Sequence, residues 1–245
     1  MKAKHHNEAR IHGENSIFKR FQDYLGEFVY GGIDGSVTTF AVVAGAAGAS
    51  LESSIVIILG FANLLADGFA MSIGSYLSTK SEKQQYDKHE AIEYWEVDNL
   101  PEKEREEIRE IYQAKGFEGE LLEQVVATIT ADKDRWVDVM MKEELEMTKE
   151  TKSPLAMGGV TFLSFLIFGF VPLIIYVVDY LTPLNNDLFL IASVLTGICF
   201  VLIGWMKSMV TNSSRFRGIL ETLILGGAAA TLSYFVGDFL ERLIN

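Results

Sequence analysis

Cysteine occurs once in 245 residues, at Cys199, which excludes an internal disulfide framework and any thiolate cluster around a metal. The segment Met1 to Gln22 lacks the uninterrupted apolar core of a cleaved signal, so the first apolar stretch is expected to remain in the mature chain as a span. The four histidines, His5, His6, His12 and His89, never stand in a Glu-x-x-His pair. The signature of a di-iron carboxylate bundle is therefore missing, which speaks against a ferroxidase; the chain is not expected to be an enzyme. The first three of these histidines belong to a polar N-terminal stretch that reads as a disordered tail.

Charge is absent from most of the chain and concentrated in one part of it. Residues 80–152 carry 12 Lys and Arg against 21 Asp and Glu, a local balance of −9 within a total of −12. Elsewhere five stretches are apolar enough to cross a bilayer, which takes roughly 20 residues: Phe28 to Ala49, Ser54 to Leu77, Leu155 to Val178, Leu188 to Met206 and Gly218 to Val236. The pattern predicts an all-α, polytopic membrane protein with five transmembrane helices. It divides into an N-terminal tail (1–27), spans one and two (28–79), an acidic helical insert (80–152) and spans three to five (153–245).

Lys and Arg in short loops set orientation. Lys19, Arg20, Lys80, Lys83, Lys149, Lys152, Lys207, Arg215 and Arg217 fall on one side of the predicted membrane, and the connections at 50–53 and 179–187 contain none. The N-terminus and the insert are thus expected to be cytoplasmic and the C-terminus outside.

Three carboxylates lie inside predicted spans: Asp34, Asp67 and Glu221. A charge in hydrocarbon is costly, so such groups face the protein interior and mark ion or proton paths. Glu221, one turn inside span five and four residues after Arg217, reads as a local ion pair. Asp34 follows Gly31 and Gly32, whose missing side chains let a neighbouring helix approach. In span two, Asn63, Asp67, Met71 and Ser75 repeat every four residues and form one polar stripe. Carboxylate with thioether suits iron(II) or manganese(II) better than magnesium or calcium, although Met71 alone reads equally well as packing.

The insert predicts four helices: a continuation of span two through about Val97, a helix opened by Pro101 and closed at Gly116, one over 118–130, and one over 133–149 that leads into span three. Its acids pair as Glu93 with Glu96 and Glu104 with Glu107, and Met140 stands four residues before Glu144, next to Met141. By spacing alone these are a solvated acidic surface.

The runs Gly31-Gly32-Ile33-Asp34-Gly35 and Asp67-Gly68-Phe69-Ala70-Met71-Ser72-Ile73-Gly74-Ser75-Tyr76-Leu77-Ser78, with Trp136-Val137-Asp138-Val139-Met140-Met141, resemble the vacuolar iron transporter family. The similarity covers the whole layout of five spans and an insert after the second. It implies a homodimer that moves ferrous iron, and often manganese, out of the cytosol in exchange for protons. It further implies that Asp34 and Met71 line the path at the dimer interface, and that Glu93, Glu96, Glu104, Glu107, Glu144, Met140 and Met141 bind metal in a cytoplasmic metal-binding insert. One departure is visible: plant members carry a glutamate where this chain has Asn63, and the carboxylate stands one turn later, as Asp67.

The expected function is a divalent transition-metal transporter whose partners are metal ions, protons, lipid and a second copy of the chain, with no prosthetic group and no nucleic acid. The order among Fe2+, Mn2+, Co2+ and Zn2+ stays open at this point. So does the membrane: a bacterial plasma membrane is expected, or a vacuole-type organelle membrane in a eukaryote. The alternative is a membrane-anchored iron sensor or buffer without transport.

Overall fold

The computed structural model describes residues 17–184, 186–211 and 213–244, with side chains from residue 23 onward. His5, His6, His12 and the side chains of Lys19 and Arg20 lie outside the described residues. The described chain is helical throughout, with no strand: α1 (Ile17–Gly48), α2 (Ser53–Asn99), α3 (Pro101–Ala114), α4 (Gly119–Thr130), α5 (Lys133–Glu143), α6 (Pro154–Phe170), a 3-10 turn (Val171–Leu173), α7 (Ile174–Leu181), α8 (Leu188–Val210) and α9 (Arg215–Ile244). Five segments are long and apolar enough to span a bilayer: Asp23–Gly48, Ser53–Asn99, Pro154–Leu181, Leu188–Val210 and Arg215–Ile244. The protein is a multi-pass integral membrane protein. Its chain forms two compact units, residues 1–76 with 154–245, and residues 77–153.

In the first unit α1 is central and packs against α6, α8 and α9. The contact with α6 needs glycine: a Cβ on Gly31 would stand 2.7 Å from the Thr161 carbonyl oxygen. Ser164 seals the same seam by donating its hydroxyl to the Phe28 carbonyl. The buried residues include Val43, Val56, Leu64, Phe165, Leu173 and Ala192 in one cluster, Phe40, Ala44, Phe200 and Ala230 in another, and Val29, Cys199 and Ile203 in a third. The outward positions are just as apolar, with Ile58 67% and Leu232 69% exposed, which is the surface a protein presents to lipid. On the side where α2 begins, Asp179 accepts from Ser53 Oγ at 2.6 Å and from the Leu184 N–H at 2.9 Å, tying that helix start to the loop after α7.

Within span three, Pro172, which has no N–H to give, puts a 3-10 turn between α6 and α7. One expectation needs correcting here. Glu221 does form an ion pair, but its partner is Lys207 of α8 at 2.7 Å rather than Arg217. Packing of α9 on α8 brings in a cation that spacing within one helix cannot show.

In the second unit the last part of α2 joins α3, α4 and α5 around Tyr86, Val97, Ile108, Leu122, Val126, Trp136, Val137, Met140 and Met141. Pro101 occupies the first turn of α3, where its missing N–H costs nothing, and Gly116 takes φ +92° beyond the helix end. Asp132 caps α5 by accepting from the Arg135 N–H at 2.8 Å. The fourth insert helix stops at Glu143 instead of reaching 149. There the backbone folds back, with Met147 N–H bonded to the Met141 carbonyl and Glu146 at φ +52°, so that Leu145 and Met147 cover the core.

Candidate metal sites in the insert and in the spans

The insert site follows from the break at Leu100-Pro101. The chain reverses there, so the first turn of α3 returns Glu104 to the face of α2 that carries Glu93 and Glu96. Carboxylate oxygens of these three lie within 4.8 Å of one another. Glu93 is 3% exposed and Glu104 1%. One oxygen of Glu93 and both of Glu104 are buried without a hydrogen-bond donor among the described residues. Lys103 pairs with Glu107 at 2.8 Å, and its charge offsets those of the cluster only in part; the Arg105 guanidinium lies 6.0 Å from the Trp136 ring centroid, its Nε buried without an acceptor among the described residues.

Acids held together like this resist ionisation. Burial, and then the charges of Glu144, Glu96 and Glu107, push the Glu93 carboxyl up to about 7. Burial, and then Glu107, Glu93 and Glu96, do the same to Glu104, also to about 7. Glu144 is raised as well, by burial first and then by Glu107 and Glu96. Five of the seven insert residues singled out in the sequence thus act on one another, three of them at ligating distance. Met140 and Met141 are fully buried in the core of the same unit. A buried, donor-free set of carboxylate oxygens is suited to a divalent cation, which supplies the missing positive charge.

In the spans, Asn63, Asp67, Met71 and Ser75 form one half-buried stripe along α2. Met71 packs against the larger core cluster, and the Asn63 amide nitrogen is buried without an acceptor among the described residues. Asp34 and Asp67 are each followed by a glycine, and both Gly35 and Gly68 abut Phe165 of α6. The two acids therefore stand at one level of the bundle, close enough for their charges to interact.

Sequence reading passed over Glu27, which precedes the apolar stretch by one residue. The membrane-long part of α1 begins at Asp23, so Glu27 lies inside it. Its Oε2 accepts from Ser75 Oγ of α2 at 3.2 Å and from Thr161 Oγ1 of α6 at 3.1 Å. The available signal was its position seven residues before Asp34, on the same face of α1.

A model of the VIT family matches residues 25–238 of the chain. Among similar proteins, a vacuolar iron transporter of Toxoplasma gondii is 35% identical over 91% of this chain and 76% of its own length. A vacuolar iron transporter of Plasmodium falciparum is 31% identical over 96% and 88%, and vacuolar iron transporter 1 of Arabidopsis thaliana 31% over 88% and 86%.

Proposed function

This chain belongs to the VIT family, and from that premise we propose that it transports ferrous iron, with manganese as a second substrate, out of the cytosol in exchange for protons. The observation that carries the reading is the pair Asp34 and Asp67, set at one level of two apolar stretches, 28–49 and 54–77, that contain no Lys or Arg. Carboxylates in that setting need a cation or a proton to offset their charge, and transport follows if they take each in turn.

The insert serves as a cytoplasmic collector. Glu93, Glu96 and Glu104, with Glu107 and Glu144 beside them, raise the local cation concentration and hold metal by displacing protons. In the spans Asp34, Asp67 and Met71 replace part of the hydration shell of the ion, and Asp67 takes the role that a glutamate at position 63 has in plant relatives. Protons from the far side compete for the same oxygens, so metal and proton occupancy exclude each other. The working unit is a homodimer with spans one and two at its interface, its N-terminus and insert in the cytoplasm. The membrane is a bacterial plasma membrane, or a vacuole-type membrane in a eukaryote.

The test is ferrous-iron uptake into proteoliposomes under an imposed proton gradient, comparing wild type with Asp34→Ala. Uptake that follows the gradient and disappears in the variant, while metal still binds the insert, is the expected result. Equal behaviour of the two proteins would favour the sensor or buffer instead.

A further inference from the structure

Apart from Asp23 at its very start, Glu27 is the carboxylate of the first span that the transport scheme leaves unused. It stands two turns from Asp34 on the same face of α1, and its hydrogen-bond partner Ser75 stands two turns from Asp67 on the stripe of α2. At about 1.5 Å of rise per residue, both separations are ~10–12 Å along the helices. Because α1 and α2 run in opposite directions, Glu27 and Ser75 form a second polar level parallel to that of Asp34 and Asp67. It lies towards the end of span two from which the chain continues into residues 80–152.

The local packing keeps this carboxylate where it is. Gly31, one turn after Glu27, has no side chain, and this lets α6 come close enough for Thr161 to reach the acid. Thr161 itself is fully buried, and its one hydroxyl proton is shared between Glu27 and the Met157 carbonyl at 2.9 Å. Both hydroxyls donate to Oε2 of Glu27; among the described residues they hold that oxygen and leave the other carboxylate oxygen with lone pairs for a cation.

We infer that Glu27 is a second carboxylate station for the transported divalent cation, one level nearer the insert side than Asp34 and Asp67. The inference rests on the transport reading above and adds a residue to it. Its competitor is a fastening role in which Glu27 only ties α1 to α2 and α6. The two differ in what matters, the charge or the hydrogen bonds. Glu27→Gln keeps an oxygen that accepts from Ser75 and Thr161 and removes the charge; Thr161→Val removes a hydrogen bond and keeps the charge.

The experiment measures ferrous-iron uptake by the full-length protein in proteoliposomes, with Asp34→Ala alongside. A station at Glu27 predicts that Glu27→Gln lowers the initial rate about ten-fold or more, from the loss of one charge acting on a divalent ion. Thr161→Val should stay within about two-fold of wild type, since hydrogen bonds of this kind are individually weak. Wild-type rates in Glu27→Gln, or a loss in Thr161→Val as large as that in Glu27→Gln, would overturn the inference. If Glu27→Gln cannot be recovered folded, Thr161→Val decides alone: near wild-type transport supports the station, and a collapse supports the fastener. A wild type that carries no iron defeats the transport reading itself, whereas a wild type silenced by Asp34→Ala but matched by Glu27→Gln defeats only the role given to Glu27.

Discussion

Metal affinity of the insert should fall steeply as the pH drops below 8, and the size of the effect follows from the site. Glu93 and Glu104 both titrate near 7, so at neutral pH each is about half protonated, and a protonated carboxyl does not ligate. If both must lose their protons, the competent fraction is close to one at pH 8 and about one in a hundred at pH 6, which predicts a ~100-fold loss of affinity over that range. The sign follows from the direction of the shifts: carboxyls raised towards 7 hold protons that metal must displace. About one proton in total should be released per metal bound at pH 7. Calorimetric titration of the full-length protein with Mn2+, in buffers of different ionisation enthalpy, reads both quantities. A background of Asp34→Ala with Asp67→Asn and Glu27→Gln removes the carboxylates assigned to the spans and leaves the signal to the insert. Removing one member, as Glu93→Gln, should reduce the pH effect to at most about ten-fold. Affinity that varied less than about three-fold between pH 6 and 8, with heats independent of buffer, would refute the claim that these buried acids are the ligands.

Gly31→Ala places a Cβ 2.7 Å from the Thr161 carbonyl oxygen, so α1 and α6 must part; a destabilisation of about 1–3 kcal/mol is expected, read as a lower unfolding midpoint in detergent, and an unchanged midpoint would contradict the packing described. Ile108→Ala empties a fully buried position one turn after Glu104, at a cost of about 2–5 kcal/mol; hydrogen exchange across residues 101–130 should accelerate and Mn2+ binding at the insert weaken, whereas unaltered exchange would show that the core does not support the site. Asp67→Asn should abolish proton-coupled iron uptake while leaving insert binding intact, and normal uptake would remove Asp67 from the path.

The elements whose determinants are local were legible in the sequence. Apolar length identified all five spans, and Pro101 and Gly116 marked both ends of α3 to within a residue. The resemblance, not spacing, singled out the insert acids, because Glu93 and Glu104 lie on different helices and meet only after the chain reverses. What escaped depended on contacts between distant segments. Lys207 reaches Glu221 from another helix, and the backbone after Glu143 leaves the helix so that Leu145 and Met147 can cover the core. Glu27 escaped for a different reason: a hydropathy boundary begins at the first apolar residue, whereas the helix carrying it begins earlier, at Ile17, and Glu27 there meets α2 and α6.

The two sets of carboxylates differ in how their charge is compensated, and that difference suits different tasks. Glu93 and Glu104 have buried oxygens with no donor, so the site is incomplete until protons or metal arrive and binding there must depend on pH. Glu27 is already held in place by two hydroxyls on two other helices. A group of the first kind retains a cation. A group of the second kind offers a fixed charge that an ion can meet and leave, because the hydroxyls continue to stabilise the carboxylate after the ion has gone. Retention in the insert and passage in the spans are therefore separable: the pH titration reads the first with the span carboxylates removed, and the Glu27→Gln rate reads the second with the insert intact.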